Sequence, residues 1–98
     1  MTPVRISAEA EADLDAIWLH IAHDSPVNAD RFLDRLFTSL TQTLSTAPFV
    51  GRTRDEFEAG LRCFPVEGYN AFYRFRQGAV EIVRIIHGAR DLGSILVD

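Results

Sequence analysis

Apolar residues recur along this chain with two different periods, and the change of period divides it. In the first half they fall three and four apart: Leu14, Ile17, Trp18 and Ile21, then Ala29, Leu33, Leu36, Phe37, Leu40 and Leu44. Each set makes one stripe along a helix. Ser7 stands where it can cap the first helix, and Glu9 and Glu11 follow in the first turn, where the helix dipole favours carboxylates. Ser25-Pro26 opens the second helix with a cap and a proline at the first helical position, and Ala47-Pro48 closes it. The short link between the stripes predicts an antiparallel helical hairpin. Val4-Arg5-Ile6 is a short edge-strand candidate. Residues 48–60, around Pro48-Phe-Val-Gly-Arg52, read as a loop.

From Leu61 onward the pattern is that of strands. Three runs are separated by Glu67-Gly68 and Gln77-Gly78, both suited to tight hairpin turns. Two-residue turns there pair Val66 with Tyr69, Phe64 with Ala71 and Arg62 with Tyr73. On the other side they pair Phe75 with Val80, Tyr73 with Ile82, Ala71 with Arg84 and Tyr69 with Ile86. One face then carries Phe64, Val66, Tyr69, Tyr73, Phe75, Val80, Ile82 and Ile86 as the core beneath the helices. The opposite face carries Leu61, Cys63, Phe72, Val83, Ile85 and His87, with Arg74 opposite Glu81. That is too apolar for a face left to solvent, so a partner is expected there. The fold class is α+β: an N-terminal helical hairpin packed on a small antiparallel sheet with a short N-terminal edge strand. Residues 1–98 form one domain.

Composition narrows the partners. The formal net charge is −4, and the deficit lies in the first half: residues 1–49 hold seven acids against three arginines, whereas residues 50–98 hold seven of each. All 10 basic residues are arginine, the side chain suited to fixed-geometry contacts. An acidic chain is a poor non-specific binder of nucleic acid, which depends on neutralising phosphates. A protein partner is therefore expected. No apolar run has the length of a membrane span and no signal-peptide pattern opens the chain, so a cytoplasmic location is expected. Cys63 is the single cysteine, which excludes an internal disulfide and a cysteine zinc site.

Candidate chemistry is sparse. Arg74, Glu81 and His87 share the outer face, and a set of those types can cleave RNA by acid–base chemistry with arginine on the phosphate. The plainer alternative is a cross-strand Arg74–Glu81 ion pair with His87 ending a strand. His20 and His23, with Asp24, have a spacing that permits shared metal ligation. Histidines at a helix C-terminus more often complement its dipole, and no further ligand is placed by the sequence. Cys63 has no activating partner. The second helical stripe, widened by Phe32, also offers a groove to a partner helix. There is no glycine-rich phosphate loop, nucleophile elbow or dinucleotide fingerprint, and neither a metal nor a cofactor is expected. Arg84 on the last strand and Arg90 just beyond it lie in a segment with few packing residues. With His87 they are the residues expected to bind a protein target.

The chain resembles the ParE toxins of the ParE/RelE superfamily, found in bacterial toxin–antitoxin operons. The resemblance runs through Ser7-Ala-Glu-Ala-Glu-Ala-Asp-Leu, Ile17-Trp18, Ile21-Ala22, Asp24-Ser-Pro26, Ala29-Asp-Arg-Phe32 and Pro48-Phe-Val-Gly-Arg52. It continues through Leu61-Arg62, Phe64-Pro65, Phe72-Tyr-Arg74 and Val83-Arg-Ile-Ile-His-Gly-Ala-Arg-Asp91. It implies a helical hairpin against a small antiparallel sheet, and a toxin that poisons DNA gyrase by protein–protein binding without a cofactor. It also implies a cognate ParD-like antitoxin, through which alone nucleic acid is met. Antitoxin contacts are expected at Leu61, Phe72, Arg74, Arg76, Val83 and Ile85. The related RelE branch cleaves mRNA on the ribosome; this chain has no lysine for that branch's lysine-rich surface, and that branch's extended tail is not expected here. A ribosome-dependent mRNA endonuclease and a non-toxic binding module are the alternative readings.

Overall fold

The computed structural model describes residues 1–88. In chain order the elements are β1 (Val4–Ile6), α1 (Ala8–Ala22), α2 (Pro26–Thr46), β2 (Arg52–Thr53), β3 (Arg62–Val66), β4 (Tyr69–Arg76) and β5 (Ala79–His87). The helix starts are fixed by the serines. Ser7 Oγ accepts from the Ala10 amide at 3.1 Å, and Ser25 Oγ accepts from the Asn28 amide at 3.2 Å, with Pro26 at the first helical position. Each cap satisfies an amide that has no partner within its own helix.

The strands form one five-stranded sheet in the order β1-β5-β4-β3-β2. β1 runs parallel to β5 and the other pairs are antiparallel, so the sheet is mixed. β2 lies within the segment expected to be a loop, since two residues carry no readable period. Both hairpin turns have left-handed backbone at both central residues: Glu67 (φ 52°) with Gly68 (φ 83°), and Gln77 (φ 54°) with Gly78 (φ 75°). These mirror-image turns match the twist of the strands they join and set the expected β3–β4 register.

The β4–β5 register follows expectation only as far as Tyr73, which faces Ile82. The next residue of β4, Phe72, faces Arg84, leaving Val83 as an extra residue in β5. This bulge reverses the faces of the β5 residues beyond it. Ile85, expected outside, joins the core beneath the helices, while Ile86, expected inside, packs with Leu61, Cys63 and Phe72 on the outer face. Ala71 pairs with Ile85 and Tyr69 with His87, one residue off the expected register.

The helices cover the inner face. Ala10 and Ile17 of α1 and Leu36, Leu40 and Leu44 of α2 pack on Val66, Ala71, Tyr73, Val80, Ile82 and Ile85. Besides Ile86, three residues depart from the expected core. Phe37 and Phe75 are exposed, and Trp18 is half-buried at the hairpin, where Nε1 donates to Asp30 Oδ1 at 2.8 Å.

Candidate functional site

β1 ends at Ile6, which leaves the edge of β5 beyond Ile82 without a strand partner. Two side chains of α1 and its cap close that edge. Ser7 Oγ donates to Val83 O at 3.1 Å. Asp13 Oδ2 accepts from the Ile85 amide at 2.9 Å and from Arg84 Nε at 2.8 Å, and Oδ1 accepts from Arg84 Nη2 at 3.0 Å. The carboxylate thus satisfies a strand amide and grips a guanidinium in two places. The Asp13 hydrogen bond is the main cause of the raised Arg84 pKa, opposed by partial burial. Arg84, expected to meet a target, is engaged inside the molecule and ties α1 to β5.

The outer face, expected to stay open, is covered. The segment joining β2 to β3 folds back over Leu61, Cys63, Phe72 and Ile86, with Phe57 against them. It is held at both ends: the Arg54 amide donates to Leu61 O at 2.8 Å and the Gly60 amide to Asp55 Oδ1 at 2.9 Å. The Arg54 guanidinium lies 4.8 Å from the Phe57 ring centroid, and Glu58 pairs with Arg74. Leu61 and Phe72 are consequently only 1% and 2% exposed, and Ile85 is 3% exposed on the other face. None of the three offers free surface for an antitoxin. Of the other residues expected to contact one, Arg76 is exposed and Arg74 and Val83 are half-buried. Arg74, Val83 and Arg84 line a cleft of about 410 Å³ between the start of α1 and the covering segment, with Glu9, Glu58 and Glu81 around them.

The bulge also decides the acid–base set. Arg74 Nε donates to Glu81 Oε1 at 2.9 Å, the expected cross-strand pair, and that bond is the leading cause of the raised Arg74 pKa. His87 is not with them. It lies on the helix side of β5, edge-on to Tyr69 at 5.3 Å between ring centroids, in a cleft shared with His20. Five strand residues lie between it and Glu81, and the six steps span roughly 20 Å of chain. Arginine, glutamate and histidine therefore do not converge on one scissile bond. Among the described residues no group of three His, Cys, Asp or Glu could hold a metal ion. Cys63 is buried, and burial pushes its thiol pKa up against the smaller pull of Arg54 and Arg52, which makes it a poor nucleophile. Arg90 lies outside the described residues.

Sequence reasoning missed a second constellation, at the loop after α2. Tyr73 is fully buried, and its hydroxyl accepts from the Gly51 amide at 2.8 Å. Arg62 Nη1 donates to Phe49 O at 3.1 Å and Gly51 O at 2.8 Å, with its guanidinium 5.2 Å from the Phe49 ring centroid. The Pro48-Phe-Val-Gly-Arg52 run was visible in the sequence, but its partners lie 11 and 22 residues away, on β3 and β4.

This fold superposes on chains of two solved toxin–antitoxin systems. The chromosomal ParDE system from P. aeruginosa superposes with a TM-score of 0.75 at 24% identity, over 89% of this chain and 96% of that one. The RelBE2 toxin–antitoxin complex from Mycobacterium tuberculosis gives 0.58 at 24% identity, over 88% and 96%. In sequence, residues 4–92 match the family described as ParE toxin of type II toxin-antitoxin system, parDE. The chain belongs to this family of toxins. Toxin ParE3 of Caulobacter vibrioides is 33% identical over 85 residues, covering 86% of this chain and 84% of that protein. Toxin ParE1 of the same organism is 30% identical over 87 residues, covering 89% and 90%.

Proposed function

We propose that this toxin acts in the cytoplasm by binding DNA gyrase and inhibiting it, and that a cognate ParD-like antitoxin neutralises it. The separation of His87 from Arg74 and Glu81 favours binding over cleavage, because acid–base hydrolysis of RNA needs these groups within reach of one phosphate. The acidic net charge supports the same reading. Family membership and the ParDE match support the antitoxin. No cofactor enters this reading, and nucleic acid is met only through the antitoxin.

Arg90 and the exposed His87 are the direct target contacts in this proposal. Arg84 acts through position, holding the helix layer against β5. Arg74, Arg76 and Val83 remain as antitoxin contacts. Leu61, Phe72 and Ile85 contribute as the packed layer beneath.

Purified toxin is expected to block gyrase supercoiling and leave ribosome-bound mRNA intact. Codon-specific cuts in primer-extension maps alongside normal gyrase activity would overturn the proposal. Arg90→Ala should abolish growth inhibition while the protein keeps its melting temperature and still binds antitoxin. A fully toxic Arg90→Ala variant would remove Arg90 from the target contact.

A further inference from the structure

The loop after α2 is held firmly and yet displays apolar side chains. Its backbone is fixed by a buried tyrosine hydroxyl and by an arginine that reaches two of its carbonyls. On that support Phe49 is 58% exposed and Val50 52%. Phe75, 39% exposed, extends the surface, with its ring centroid 5.1 Å from that of Phe49. Isolated exposed apolar residues are ordinary. A contiguous set held on a stapled loop marks a contact surface. Beside Val50 opens a cleft of about 500 Å³, lined by Gly51, Arg52, Cys63, Phe64 and Pro65 among others.

Charge identifies the occupant. Arg62 lies against Phe49, Arg52 lines the cleft, and exposed Arg76 follows Phe75 in the chain. Among the described residues none of these three has a carboxylate within salt-bridge distance, whereas Arg35, Arg54 and Arg84 each have one and Arg74 has two. The acids concentrate on the helical half, with seven against three arginines in residues 1–49. A net-acidic chain is poorly suited to an extended polyanion such as RNA, whereas a short acidic segment needs only these three arginines. The occupant does not add a strand either. Beyond β2 the outward-facing position on β3 is Pro65, which has no amide to donate.

We infer that Phe49, Val50 and Phe75, with Arg52, Arg62 and Arg76, form a docking surface for a short acidic segment of a protein partner. The segment places one large apolar side chain in the cleft beside Val50. This inference does not depend on gyrase being the target.

The test uses the full chain and a panel of fluorescent 12-residue peptides, each with one Leu, Phe or Trp among Asp and Glu. Matched peptides with Lys in place of the acids and a 12-nucleotide single-stranded RNA are run beside them. At least one acidic peptide should bind and lose affinity as salt is raised, with the Lys series silent. Phe49→Ala and Phe75→Ala should each weaken that binding about tenfold or more, and Arg52→Glu should weaken it and flatten its salt dependence. Melting temperatures close to that of the parent would show that these surface variants remain folded. Silence across the acidic panel, tighter binding of the RNA, binding unchanged by these substitutions, or concentration-dependent self-association lost in Phe49→Ala would each overturn the inference.

Discussion

Gly51 is the position least able to accept a side chain. A Cβ there would lie 2.7 Å from Cε1 and from the hydroxyl of Tyr73, and 2.9 Å from the backbone oxygen of Cys63. Tyr73 is fully buried and Cys63 O belongs to a paired strand, so neither can withdraw cheaply. Gly51→Ala is therefore expected to cost about 2–4 kcal/mol. For a domain of this size each kcal/mol lowers the melting temperature by roughly 4–8 °C. A thermal melt within two degrees of the parent would contradict the packing described for this loop. The same tyrosine gives a pH dependence. Burial raises its pKa above the ordinary 10.0, and burial raises Cys63 above its ordinary 9.0. In both cases the folded state holds its proton more tightly than the unfolded chain. Stability is fully present below pH 9 and falls as pH rises, first through the thiol and above pH 10 through the phenol. Denaturant midpoints measured from pH 7 to 11 should show this decline. Cys63→Ala should remove the part that begins near pH 9.

At the scale of elements, the Asp13 clamp and the Val83 bulge set the geometry. Asp13→Ala would leave the Ile85 amide and the Arg84 guanidinium without their carboxylate, costing about 2–4 kcal/mol. A double-mutant cycle with Arg84→Ala should show a coupling of roughly 1–3 kcal/mol, and additive losses would contradict a direct clamp. The helices, both hairpin turns and the β3–β4 register were legible in the sequence because each rests on local chemistry: serine caps, Pro26, and Glu-Gly and Gln-Gly turns. The bulge was not. Val83 belongs to an unbroken apolar run, Val-Arg-Ile-Ile, that reads equally well in either register. What favours the shift is distant in sequence, namely an aspartate on α1 reaching the Ile85 amide. One missed residue then misplaced Ile85, Ile86 and His87 together. The covering segment was illegible for a similar reason, since Phe57 is one apolar residue in a polar loop and its role depends on the face it meets. Asp13 itself was hidden among Glu9, Glu11 and Asp15, which suggested only a favourable helix start.

Across the whole molecule, both faces of the sheet are packed: one beneath the helices, the other beneath the segment from Arg54 to Gly60. Clefts and a stapled loop with exposed apolar side chains, not an open apolar sheet face, are what the molecule presents to others. The acidic excess lies in the helical half, with seven acids against three arginines in residues 1–49, while residues 50–98 balance at seven of each. That division suits recognition of protein surfaces more than the even cationic coating a polyanion requires. Among the described residues no helix is long and apolar enough to cross a membrane. Binding and catalysis differ most sharply in stoichiometry, because a binder is consumed by its target while an enzyme turns over. The decisive measurement is a titration of purified toxin against a fixed amount of gyrase in a supercoiling assay, with translating ribosomes and intact mRNA in parallel. Supercoiling should stop only as toxin approaches the amount of gyrase present, with mRNA uncut throughout. Cleavage of ribosome-bound mRNA by toxin far below the ribosome concentration, with supercoiling unaffected, would contradict inhibition by binding.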